Sequence, residues 1–90
     1  MIQLKDVKNY LRIDTDEDDE LIISLISSAK NLCLSISRID ESDFEKEIEN
    51  LKLPMYYAIA YMYEHREEAN YNELILSLRS LLFTVRRSEF

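Results

Sequence analysis

Ninety residues make one small domain, which at that size buries only about 60 to 65% of its unfolded surface, so association with other chains would help it stay folded. The absence of glycine and the single proline exclude folds built on tight hairpins or phosphate-cradling loops, which need positive φ and close backbone approach. A net charge of -7, from 11 basic and 18 acidic residues, excludes general electrostatic attraction to nucleic-acid phosphates.

Leu4, Val7 and Leu11 recur at helical spacing and predict a short first helix over about 4 to 11. Gln3 before it is not a preferred N-cap residue. A turn at Arg12 to Asp14 leads to Thr15-Asp16-Glu17-Asp18, a capping-box pattern with Asp18 where Glu or Gln is usual, so a second helix is expected from Asp16 to Ser37. Its core stripe is Leu21, Ile22, Leu25, Ile26, Ala29, Leu32, Cys33 and Ile36, while Ile23 and Leu34 fall together on another side. The uncharged stretch Leu21 to Ala29 is too short to cross a bilayer.

The segment from Asp40 to Asn50 reads as a loop entering a short helix, with Ser42 and Glu45 as a second capping box and Phe44, Ile48 and Leu51 in register. Pro54 disfavours helical geometry at Leu53, which predicts a break before a central helix running from Pro54 to Glu68. That helix is apolar on nearly every side as far as Tyr63, the pattern of an element in the middle of a bundle. Asn70-Tyr71-Asn72 reads as a polar turn in which asparagine takes the left-handed, helix-ending conformation. A last helix over about 72 to 85 places Leu74, Ile75, Leu78, Leu81, Leu82 and Val85 on one face, and Leu76 with Phe83 on another. The predicted fold is all-α: a small bundle of four to five helices around a central apolar helix, with residues 84–90 as a docking tail.

The spare apolar positions bear on function, because a monomer needs one buried stripe per helix. Ile23 and Leu34 either pack within a bundle that surrounds the second helix on two sides or meet a partner; Leu76 and Phe83, near the chain end, favour a partner.

No arrangement of chemistry-bearing residues stands out. Asp14, Asp16 and Asp18 alternate like the start of an EF-hand loop, but Asp19 stands where glycine is needed and Leu25 where a bidentate glutamate is needed. Those acids fit a helix N-terminus, where they offset the macrodipole. One histidine, His65, and one cysteine, Cys33, cannot assemble a zinc site, and Met62 occupies the glutamate position of a di-iron Glu-x-x-His motif. Neither metal, cofactor nor catalytic residue is therefore expected. Tyr56, Tyr57, Tyr61 and Tyr63 at helical spacing read as core and interface aromatics and not as a base-stacking platform. Arg79, Arg86 and Arg87 form the one locally basic group, and beside a net acidic body they favour a protein partner. The N-terminus lacks the basic-then-apolar layout of a signal peptide, so the chain reads as cytoplasmic.

Taken as an ordered series, three stretches resemble the small head-tail connector proteins of long-tailed bacteriophages and prophages. They are Val7-Lys8-Asn9-Tyr10-Leu11-Arg12-Ile13-Asp14, the acidic run Asp16 to Glu20 leading into Leu21-Ile22 and Leu25-Ile26, and Tyr63-Glu64-His65-Arg66-Glu67 followed by Leu81-Leu82 and Arg86-Arg87. The resemblance covers nearly the whole chain except residues 40 to 53, where this sequence has its own acidic insert. It implies an all-helical adaptor without catalytic activity, sited at the virion neck after synthesis in the host cytoplasm. There it would assemble as a roughly twelve-fold homo-oligomeric ring beneath the portal protein, receive the stopper or tail-completion protein and extend the DNA channel. By that likeness Phe83, Arg86, Arg87 and Phe90 are candidates for portal contact. Asp14, Asp16, Asp18, Asp19, Ile23, Leu34 and Leu76 are candidates for subunit contact or channel lining. A small helical DNA-binding regulator is the alternative; it needs a basic recognition helix, for which Arg79 to Arg87 is the sole cationic end.

Overall fold

A computed structural model describes residues 2–65, 67 and 70–83. Five helices make up the described chain: α1 (Leu4–Leu11), α2 (Asp19–Ser37), α3 (Glu41–Phe44), α4 (Ile48–Glu64) and α5 (Tyr71–Leu81). No strand occurs among the described residues, and the all-α bundle expected from the sequence is the fold.

Helix α1 forms where its apolar spacing places it, with Val7 fully buried and Gln3 giving no side-chain cap. It ends on Arg12 at φ 61°, where the Ile13 N–H donates to Lys8 O at 2.9 Å and the Arg12 N–H to Asn9 O at 3.2 Å. Helix α2 ends similarly on Arg38 at φ 60°, whose N–H donates to Leu34 O. These left-handed positions usually go to glycine; in a chain without glycine each arginine bears about 1 to 2 kcal/mol of backbone strain, offset by carbonyls satisfied at the helix end.

Helix α2 begins three residues later than expected, at Asp19 instead of Asp16, and Asp18 makes no capping hydrogen bond. Its carboxylate instead accepts from the Tyr63 hydroxyl at 2.6 Å. That bond joins the start of α2 to the end of α4, so the two helices run antiparallel. Ile22, Ala29 and Cys33 are the fully buried apolar residues of α2, while Ser24, Ser28, Asn31 and Ser35 face solvent. Among the described residues α2 is long and apolar enough to cross a membrane by length and composition, which the short uncharged stretch did not suggest. Its apolar side is nonetheless taken up by α4, α1 and α5.

The expected break before Pro54 does not occur: α4 is continuous from Ile48 to Glu64 with the proline inside it. Leu51, Pro54, Met55, Ala58, Ile59 and Met62 are all buried and form one stripe through the proline. Each large side chain buried there contributes about 1.5 to 3 kcal/mol, and together they outweigh the roughly 3 kcal/mol that an internal proline costs a helix. The carbonyl that loses its N–H partner belongs to Asn50, an exposed residue, where solvent can replace the bond. The stripe also corrects the picture of an all-round apolar helix, since Tyr56, Tyr57, Tyr61 and Tyr63 are half-buried and Leu53 is 61% exposed.

Ser42 lies inside the one-turn helix α3 and does not cap α4; Asp40 precedes α3 and Glu47 precedes α4, neither with a side-chain cap. Asn70 is extended (φ -100°), not left-handed, and its side chain accepts from the Glu73 N–H at 3.2 Å, so it starts α5 instead of ending α4. The Tyr61 hydroxyl accepts from the Asn70 N–H at 3.2 Å, fixing the start of α5 beside the end of α4. Helix α5 packs Leu74 and Leu78 into the core and stops at Leu81, short of Val85, which lies outside the described residues.

Candidate functional site

The acidic run before α2 is engaged within the chain. Lys8 Nζ sits 2.8 Å from Asp19 Oδ1 and 2.9 Å from Asp16 Oδ1, pinning α1 to the start of α2. Asp19 first, and then Asp16, push the Lys8 pKa above its ordinary value. With Asp18 bound to Tyr63, three of the four aspartates expected at a subunit contact or channel wall have partners in their own molecule; Asp14 is exposed. Spacing alone could not show this, because Lys8 lies eight and eleven residues from its partners and Tyr63 forty-five from Asp18.

The single cysteine is core: Cys33 is fully buried, and burial pushes its thiol up to about 12, so it stays protonated and unreactive. Ser37 beneath it donates from Oγ to Cys33 O at 2.6 Å, which satisfies the one fully buried polar side chain in the described core. No group of three His, Cys, Asp or Glu able to hold a metal occurs among the described residues.

The apolar positions beyond the core stripes have different fates. Leu34 is half-buried and packs on the core of its own chain, as the two-sided bundle reading allows. Ile23 is 53% exposed. Leu76 and Phe83 are 65% and 76% exposed, and with exposed Arg79 between them they follow the outward side of α5 at helical spacing, opposite Leu74 and Leu78. Phe83 stands in the turn just after the helix. Arg86, Arg87 and Phe90 lie outside the described residues.

Sequence reasoning missed a concavity of about 290 Å³ walled by Ile2, Ile23, Ile26, Phe44 and Met55, with Lys30 and Glu45 at its edge. Four separate segments build it, so no local spacing announces it. Lys30 lies 4.9 Å above the Phe44 ring and 2.9 Å from Glu41, whose carboxyl it holds below the usual range. A second concavity, of about 330 Å³, gathers Tyr10, Tyr57, Tyr61, Glu64 and Glu73 beside His65, which stacks on Tyr61 at 4.2 Å.

Lys8, Asp16, Asp18, Asp19, Lys30 and Glu41 are held in structural pairings, and large apolar side chains, Leu76 and Phe83 the most exposed among them, stand out to solvent. The family model described as Phage gp6-like head-tail connector protein matches residues 1–88, and the chain belongs to that family. No curated protein and no solved structure matches it. Membership makes it a structural connector of a bacteriophage, acting at the head-tail junction of the virion.

Proposed function

We propose that this connector completes the head as a ring of identical copies beneath the portal, continues the DNA channel and receives the stopper or tail-completion protein, with no catalytic step of its own. The observation that carries the reading is the family match over residues 1–88, and the exposed Leu76 and Phe83 supply the apolar surface an assembly needs. Copies would meet through unlike faces, the arrangement that closes into a ring. A net charge of -7 suits a channel that DNA slides through, because contacts from lysine and arginine to phosphates are what retain a duplex.

Residues 84–90 serve in this reading as the portal-docking tail, with Arg86, Arg87 and Phe90 making the contact. The chain is made in the host cytoplasm and joins the head there, after packaging. Electron microscopy of the protein mixed with its portal tests the reading: rings seated on the portal are expected, and persistent absence of both rings and portal binding contradicts it. Arg86→Glu combined with Arg87→Glu is expected to leave circular dichroism and melting unchanged while blocking attachment to filled heads. Infectious particles from that variant would remove the tail from the portal contact.

A further inference from the structure

We infer that the concavity between α2, α3 and α4 receives the outward side of α5 from a second copy of this chain, Leu76 and Phe83 filling it and Arg79 lying beside the net negative segment 40–49. The inference rests on the connector reading and specifies which two faces of each copy meet.

The concavity is apolar where it is deepest: Met55 is 1% and Phe44 3% exposed, Ile2 6%, and Ile23 forms an exposed lip. None of its lining residues comes from α5. The outward line of α5 is therefore a separate surface, and a copy cannot use it to fill its own concavity while Leu74 and Leu78 hold that helix to the core. Two unlike apolar surfaces on one small molecule fit a head-to-tail contact between copies, which repeats until it closes.

Charge selects the same pairing. Residues 40 to 49 carry Asp40, Glu41, Asp43, Glu45, Glu47 and Glu49 against Lys46 alone, the densest negative stretch beside the concavity. Arg79 stands between Leu76 and Phe83 on the opposing surface. Lys30 at the edge pairs with Glu41 at 2.9 Å and Lys46 with Asp43 at 3.9 Å, and two lysines against six acids leave the segment net negative. Phe83 is the aromatic anchor of the contact, a residue type enriched at the buried centre of interfaces. Because Phe83 shares its line with Leu76, the inference assigns it to the neighbouring subunit and leaves the portal to the residues after it.

The experiment uses two variants with opposite defects. Ile23→Glu spoils the concavity and keeps the α5 line; Leu76→Asp with Phe83→Asp spoils the line and keeps the concavity. All three positions are more than half exposed, so melting should match wild type, and a variant that does not match is replaced by Ile23→Ser or Phe83→Ser. Each variant alone is expected to lose at least about tenfold in self-association, measured by sedimentation up to high concentration and on the portal. An equimolar mixture should recover a heterodimer and no larger species, since one intact contact remains. Wild type that forms rings while the mixture stays monomeric, or either variant that assembles normally, overturns this inference and leaves the connector reading standing. Wild type that neither self-associates nor binds portal overturns both.

Discussion

Leu78 and Leu76 are two residues apart on α5 and chemically identical, yet one is fully buried and the other 65% exposed. The inward line, Leu74 and Leu78, is fully buried where α5 packs on α4 and α2; the outward line, Leu76 and Phe83, is mostly in solvent. Composition does not separate the buried from the exposed apolar residues of this segment; the side of the helix they stand on does. Leu76 and Phe83 are the most exposed large apolar side chains among the described residues, ahead of Leu53, Tyr71, Ile23 and Tyr10.

Breaking the inward line should have the largest effect. Leu78→Ala is expected to cost about 2 to 5 kcal/mol and to lower the melting temperature by at least about 8 °C, read by calorimetry. A loss below about 1 kcal/mol would mean that α5 contributes little to the fold. The stripe of α4 gives an effect of opposite sign. Pro54→Ala restores an N–H to a helix interior in which proline is about 3 kcal/mol worse than alanine, and gives up roughly 1 to 2 kcal/mol of buried ring. A net gain of about 1 kcal/mol in urea unfolding is expected, whereas a clear destabilisation would show that the interruption at Pro54 belongs to the design of the core.

On the outward line, Leu76→Ala should change stability by no more than about 0.5 kcal/mol while weakening self-association in sedimentation. Equal loss of stability and assembly would erase the distinction between the two sides. The smallest effect belongs to the surface pairs. Lys8 has a raised pKa, so its contribution is complete below its unfolded value of 10.5 and lost as pH climbs through the higher folded value. Glu41 has a lowered pKa, so its contribution is complete above 4.5 and lost as pH falls through the lower folded value. Lys8→Met should reduce the alkaline loss in a melting series, leaving the part that belongs to the buried Cys33 thiol, and should not change the acid part.

Much of the fold was legible because apolar spacing is a local signal. Leu4, Val7 and Leu11 located α1, and Ile22, Ala29 and Cys33 located the buried side of α2. Boundaries failed where a side chain preferred a distant partner to a local one. Asp16 and Asp18, positioned as if to open α2, bind Lys8 and Tyr63 instead. Pro54 misled for a related reason, since a local preference near 3 kcal/mol was outweighed by burial on both sides of it. Leu34 and Ile23 looked alike in sequence, and only the packing of α2 separates the half-buried residue from the exposed one. The concavity beneath Ile23 was not legible at all, because Ile2, Phe44 and Met55 reach it from three different segments.

The central claim is that the two sides of α5 hold different things together, the inner side one molecule and the outer side a series of them. Sedimentation of the Leu76→Asp, Phe83→Asp variant beside wild type, with portal present and melting curves matched, tests it most directly. An unchanged melting temperature with loss of the assembled species is the predicted result. Assembly indistinguishable from wild type would contradict the claim.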